Sequence, residues 1–365
     1  MKFGLHYQLP CDPSQSAVQR YRDTIEQAVY AESLGFESVW PVEQHFNPEL
    51  SISPSPLLTL AAIAERTTKL RLGIAIVLLP LSHPLRVAEE IATLDVLSNG
   101  RVEFGIGRGS IPTHFTGFGL NQSESRERML ESLQIIQQAW TTERLSFQGR
   151  FWSVDNLSIV PKPVQQPHPR VHIATNSSDT FELTGRMGYR ICVASQVNPF
   201  FRIKEYLPLY RQAREAAGHR PCSEDDVTVL MPLYVGDSPA QIRQELEPSI
   251  QRFLRSVATL YAALNVADAP GNNRLKDVLE RARRMTYEQV SQNMGVFAPP
   301  DDCIERLTQF QQDFGMGRVI CWFNPGGMVP HTQVMRSMEM FAEKVMPHFG
   351  GWGEGKRQET VVSSQ

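Results

Sequence analysis

The chain has 365 residues, 41% of them hydrophobic, and a formal net charge of -3. That length accommodates two average domains or one large α/β barrel, with enough apolar sequence for a sizeable core. Near-balanced charge argues against a nucleic-acid or other polyanion partner. No apolar run has the length of a membrane span, and the opening MKFGLHYQLP reads as a strand rather than a signal peptide. Five cysteines (Cys11, Cys192, Cys222, Cys303, Cys321) are scattered, with no CxxC pair, as expected of reduced thiols in a cytoplasmic protein. Nine histidines form no HExxH motif and no Cys/His cluster, so no metal is expected.

Residues 2–9 alternate. A first strand would turn Phe3, Leu5, Tyr7 and Leu9 toward helices and Gly4, His6 and Gln8 inward. His6 reads either as a hydrogen-bonded interior group or as part of a pocket. A helix is predicted over 16–34, closed by Gly35, then a second strand over 36–41. At its carboxyl end come Glu43, Gln44 and His45, polar groups that are expensive to bury without partners. After a Ser/Pro-rich loop, a helix is predicted over 57–67.

The stretch 69–109 carries the most information. Residues 70–79 form a continuous Ile/Val/Leu run, the pattern of a strand buried on both faces. Helical spacing follows over 84–97, ended by Ser98-Asn99-Gly100, and then a strand over 101–106. Strand, helix and strand in that space make a right-handed crossover joining parallel strands. The second strand ends in Gly107-Arg108-Gly109, where the backbone can approach a ligand and an arginine can fork onto an anion.

Residues 110–122 read as a long loop over the mouth. A helix over 123–140, a hairpin over 145–159 and a proline-stiffened connector over 162–169 follow. A short strand over 171–174 leads to Thr175-Asn176-Ser177-Ser178 and a helix over 179–187, with Ser178 as its N-cap. Small polar residues at a helix start can seat an anion, although any capped helix shows that much. Strands over 189–194 and 227–235 flank a helix over 200–217. An insertion at about 240–295 weakens the pattern and reads as a solvated helix or a closing lid. A helix over 299–314, an eighth strand over 318–323 and a helix over 331–346 complete the series, with a polar, disordered tail expected over 350–365. Eight alternating strand–helix units predict an α/β fold, a single (β/α)8 TIM barrel with insertions over residues 1–349.

Several segments carry a family resemblance: LGFESVWPVEQHF, the run LLPLSHPLRVAEEIATLDVLSNGRVEFGIGRG, HIATNSS and the closing MRSMEMFAEKVMPHF. With them, nearly the whole chain, to about residue 349, resembles the bacterial luciferase-like, flavin-dependent monooxygenases, most specifically over 83–109. The resemblance implies reduced FMN from a separate flavin reductase and attack on dioxygen. A C4a-peroxyflavin would then oxygenate a small organic substrate. It implies a non-prolyl cis bond at Ala75-Ile76 beneath the flavin, and a homodimer through the helices over 57–67 and 84–97. Arg108 reads as a phosphate ligand or as an ordinary surface salt bridge, and Asn176, Ser177 and Ser178 would complete the phosphate seat. Gln196 joins the cofactor-binding candidates, and His6, Gln8, His114, Phe115, Met231 and Trp322 the substrate-pocket candidates.

The chain departs from the light-emitting members at two places. Where they carry two consecutive histidines it has Gln44-His45, and where they carry a reactive cysteine it has Gly107. Gln44 cannot take a proton near neutral pH, which leaves His45 as the titratable candidate or as a structural group paired with Glu43 or a partner's carboxylate. Both changes favour a dark oxygenase. A deazaflavin-dependent oxidoreductase and a non-catalytic flavin-binding partner subunit are the competing readings.

Overall fold

The computed structural model describes residues 1–11, 14–263 and 283–350. Its elements run β1 (Lys2–Tyr7), α1 (Ala17–Leu34), β2 (Ser38–Pro41), α2 (Pro56–Ala64), β3 (Arg71–Gly73), β4 (Val77–Leu78), α3 (Pro84–Leu97) and β5 (Val102–Gly107). Next are α4 (Pro112–Gly117), α5 (Ser125–Thr141), the hairpin β6 (Leu145–Gln148) and β7 (Ser153–Leu157), β8 (Arg170–Ala174), α6 (Ser178–Arg186), β9 (Arg190–Ala194) and α7 (Phe200–Ala216). The chain continues through β10 (Val227–Val235), α8 (Pro239–Ala263), α9 (Tyr287–Asn293), β11 (Val296–Ala298), α10 (Pro300–Phe314), β12 (Arg318–Trp322) and α11 (His331–Lys344).

The sheet closes on itself. From β1 the order runs β2, β3 with β4, β5, β8, β9, β10 and β12, and β12 pairs with β1. Every pairing in this ring is parallel, so the molecule is an eight-position parallel barrel wrapped by helices. Alternation along β1 works as expected: Phe3, Leu5 and Tyr7 lie in the apolar layer between barrel and helices. The barrel interior is filled by Trp40, Ala75, Cys192, Leu230 and Ile320. A Cβ on Gly73 would overlap the Trp40 ring, so this indole fits the interior only beside a glycine. The amino-terminal floor is ionic. Glu103 is fully buried and meets His172 at 2.8 Å, with Arg71 and Arg170 as its other partners, and Arg318 forks onto Glu37 at 2.8 and 3.0 Å. Burial raises the Glu103 carboxyl, but the His172 bond and the arginines outweigh it and hold it far below its ordinary value.

Three elements differ from expectation. The apolar run over 70–79 is not one strand. Gly73 pairs with Glu103 and Val77 with Ile106, so four steps on one strand oppose three on the other. That extra residue is a bulge. It contains the cis bond Ala75-Ile76, at the expected place. Second, the loop over 110–122 contains α4, whose Pro112 sits in the first turn where a missing N–H costs nothing. Third, β11 adds a parallel strand outside the ring, against the carboxyl half of β10. Its three residues are too few to show a period. Of the insertion, α8, α9 and β11 are ordered parts of the barrel's outside. The middle of the insertion, which reads as a solvated helix or a lid, falls outside the described residues, as does the tail after residue 350.

Among the described residues no helix is long and apolar enough to cross a membrane, and the five cysteines form no disulfide.

The bulge has room only because β5 presents Gly105 and Gly107 to it. A Cβ on Gly105 would overlap the Ile74 carbonyl oxygen, which is backbone and cannot swing away. Gly105→Ala is expected to destabilise the fold by about 3 kcal/mol, as overpacking does. Urea unfolding would show it as a lower midpoint, and an unchanged midpoint would contradict this packing.

Candidate active site

The segment leaving β2 is pinned by its own backbone. The Gln44 N–H donates to the Ser53 carbonyl at 2.9 Å, and the Ser53 hydroxyl donates to the Val42 carbonyl at 2.8 Å. The buried carboxylate of Glu43 spans two rim segments. One oxygen accepts from the Leu78 N–H at 2.9 Å, and the other lies 3.0 Å from His45 Nε2. His45 therefore pairs with a carboxylate of its own chain. α4 brings His114 into this group. Its Nε2 lies 3.1 Å from the Gln44 amide nitrogen and accepts from the His45 N–H at 3.4 Å. Burial, with His45 nearby, pushes the His114 imidazole down to about 4, so it is neutral at ordinary pH. At the mouth, Phe46 has φ 56°, and its ring lies where a Gly117 side chain would be. Phe46 and Phe118 pair at 5.4 Å and are both exposed, which makes this edge of the mouth apolar.

The bulge forms the floor of the rim. The Ala75 N–H donates to the Pro41 carbonyl at 3.0 Å, tying it to the end of β2. A Cβ on Gly107 would overlap the Ile76 side chain and lie 3.5 Å from the Ala174 Cβ. Ile76 therefore crosses above Gly107 and reaches toward the end of β8. Three residues beyond Ala174, Ser177 starts α6 in extended conformation (φ -141°, ψ 153°). Ser177, not Ser178, is the N-cap, and its hydroxyl does not cap the helix: it bonds the Asp179 carboxylate and Thr180 Oγ1. Burial raises Asp179, but the Ser177 hydroxyl and the Arg126 guanidinium outweigh it, with Arg108 adding to the field, and bring it to about 2. Arg126 thus pairs with a carboxylate at a helix N-terminus, within the field of Arg108, where the first N–H groups of a helix favour an anion. Nothing in the sequence singles out Arg126. It lies in the first turn of α5, far along the chain from α6, and only the fold brings the two together.

The remaining candidates divide. The His6 Nδ1–H donates to the Trp40 carbonyl at 3.0 Å, and its ring meets Trp322 edge-on at 5.4 Å. Burial, partly offset by that carbonyl, lowers His6 to about 4. His6, Gln8 and Trp322 line a cavity of about 10 Å³ between β1 and β12, the size of one water and no larger ligand. Phe115 is buried beside Gly109 and Leu78. Met231 lies in the layer between barrel and helices, facing away from the interior that Leu230 enters, so the structure does not bring it to the mouth.

Buried polar atoms without a hydrogen-bond partner among the described residues include Thr175 Oγ1, Gln196 Oε1, Trp322 Nε1 and His114 Nδ1. They belong to segments at or just past the carboxyl ends of β5, β8, β9 and β12. Such atoms are rare in folded proteins, and a bound polar ligand satisfies them. Among the described residues no three His, Cys, Asp or Glu side chains are placed to hold a metal ion.

Comparison with known proteins places the fold in a family. The model of the luciferase-like monooxygenases matches residues 1–316. The chain belongs to that family. An uncharacterised protein, y4wF of Sinorhizobium fredii, is 34% identical over 72% of this chain and 75% of its own. The oxygenase component of a flavin-dependent trigonelline monooxygenase from Acinetobacter baylyi is 24% identical over 99% of each chain. An F420-dependent glucose-6-phosphate dehydrogenase from Amycolatopsis mediterranei is 27% identical over 91% of this chain and 96% of its own. Among solved structures, monooxygenase RslO1 from Streptomyces bottropensis superposes with a TM-score of 0.83 at 29% identity, covering 96% of this chain and all of its own. The chain is thus a luciferase-like oxidoreductase whose relatives include flavin-dependent and F420-dependent enzymes.

His6 and His114 are both neutral in the fold down to about pH 4, whereas in the unfolded chain they take up protons below about 6.5. Their contribution to stability is therefore complete above 6.5 and is lost as pH falls toward 4. Urea midpoints across that window should fall, and His114→Gln should fall less steeply than the wild type. Equal slopes would show that His114 protonates as readily folded as unfolded.

Proposed function

We propose that the chain is the oxygenase component of a two-component monooxygenase, binding reduced FMN supplied by a separate flavin reductase and oxygenating a small apolar molecule with dioxygen. The observation that carries this reading is the bulge. In this reading Ala75-Ile76 is an apolar bed between the helix start near Arg108 and Arg126 and the buried polar cluster around Gln44. That is the sequence of environments along FMN: phosphate, ribityl chain and ring. Arg108, Asn176, Ser177 and Ser178 would hold the dianionic phosphate, with Arg126 as a second cation. Gln196 Oε1 and Thr175 Oγ1 fit as partners for the polar parts of the molecule. When bound, the reduced flavin supplies the electrons that activate dioxygen.

The chain's own groups do the rest. Gln44, a hydrogen-bonding but non-titrating group, faces the ring. The Glu43–His45 pair stands beside it as the group able to move a proton. Phe46 and Phe118 keep the mouth apolar, which suits an apolar substrate and helps exclude water. The homodimer would use α2 and α3, where Leu58 and Leu97 are exposed. A cytoplasmic location, with its reductase, belongs to the same reading. The second reading, F420-dependent hydride transfer without oxygen, is favoured only by the F420-dependent relatives.

Anaerobic titration separates the two. Reduced FMN should bind and reduced F420 should not, and Arg108→Ala should weaken FMN at least about tenfold, the worth of a charged hydrogen bond. With a flavin reductase and NADH, oxygen uptake coupled to product would follow. Tight F420 binding with no FMN binding would transfer the chain to the second reading.

A further inference from the structure

The Gln44–His114 contact fixes more than a distance. His114 Nε2 faces two groups at once, the Gln44 amide at 3.1 Å and the His45 backbone N–H at 3.4 Å. A backbone N–H can only donate. The nitrogen it points to must then be an acceptor, which leaves the imidazole proton on Nδ1. Gln44 must in turn offer its NH2 end to the same nitrogen, and its amide oxygen turns away from His114. The segment has little freedom to evade this arrangement, because Glu43 holds Leu78 and His45, and Ser53 holds Gln44 and Val42. The charged and titratable groups facing His114 here are His45, 5.5 Å away ring to ring, and beyond it Glu43. His114 itself is only 2% exposed.

We propose that His114 is the positioning residue that orients Gln44, so that the amide oxygen of Gln44 is presented as a hydrogen-bond acceptor to an N–H of the reduced flavin ring. The proposal rests on the flavin reading for its ligand but not for its geometry. Gln44 follows Pro41 by three residues, and the Pro41 carbonyl holds the Ala75 N–H of the bulge, so the amide stands next to the proposed ring surface. A residue that cannot titrate thus serves as an acceptor of fixed polarity, and it owes that polarity to a histidine on another segment. No contact with the substrate is required of His114.

The test begins on the protein without flavin. ¹⁵N-histidine labelling, with the His114 signals assigned by their loss in His114→Gln, should show a neutral ring with Nδ1 protonated and Nε2 bare from pH 8 to 5. A proton on Nε2 would overturn the proposal, because Gln44 would then present its NH2 group instead. Two variants test the positioning role. His114→Gln keeps an acceptor oxygen near the Nε2 position and should retain both the hydrogen-bonded Gln44 side-chain amide signal and the affinity for reduced FMN. His114→Leu removes the acceptor, should lose that signal and should weaken reduced FMN about fivefold, the worth of one hydrogen bond. Equal affinity in a folded His114→Leu protein would overturn the proposed role. If His114→Leu does not fold, the tautomer and the His114→Gln protein still decide. If wild-type protein binds no flavin, the functional reading fails while the tautomer measurement still judges the geometry.

Discussion

One extra residue in one strand shapes the rim of this barrel. Between β3 and β4 the chain takes four steps where β5 takes three, and the surplus bulges over Gly105 and Gly107. With side chains at those glycines, the Ile74 carbonyl and the Ile76 side chain would have no place to lie. Because the bulge is there, Ile76 reaches across β5 toward β8, and the Ala75 N–H turns back to Pro41 on β2. The bulge thereby bridges the end of β2, which leads to Gln44, and the end of β8, which leads to Ser177.

The two ends of the barrel solve different electrostatic problems. At the floor every charge is paired: Glu103 is enclosed by His172 and arginines from three strands, and Arg318 is closed by Glu37. Breaking such a set by removing one partner would leave an uncompensated buried charge. At the rim the pairing is incomplete. Buried atoms of Thr175, Gln196, Trp322 and His114 lack partners among the described residues. Asp179 lies in the positive field of Arg126 and Arg108, which holds its carboxyl below its ordinary value. His172 Nδ1 and Thr228 Oγ1 at the floor also lack partners among the described residues, but the rim atoms lie at the carboxyl ends of the strands, the end where barrels of this kind take their ligands.

Much of this was legible in the sequence because it is periodic or local. Alternation in β1, the 3.6-residue spacing of α3 and the glycine ends of α1 and α3 each follow from a few neighbouring residues. The family resemblance located the cis bond, which no periodicity reveals. What stayed hidden is non-local. An unbroken Ile/Val/Leu run looks the same with or without a bulge, since the register lies in the glycines of β5. β11 is three residues long. Met231 was one residue out of phase: on β10 it is Leu230 that enters the barrel. Arg126 and the Gln44–His114 contact join segments dozens of residues apart, and only the closed ring brings them together.

The most direct measurement is a crystal structure of the protein soaked with FMN. The phosphate should lie within hydrogen-bonding distance of the segment Asn176-Ser177-Ser178 and of Arg108, with the ring resting on Ala75-Ile76 and one edge toward Gln44. A flavin bound elsewhere, or a rim too narrow for the ring to enter, would contradict the role given to the bulge and the oxygenase reading built on it.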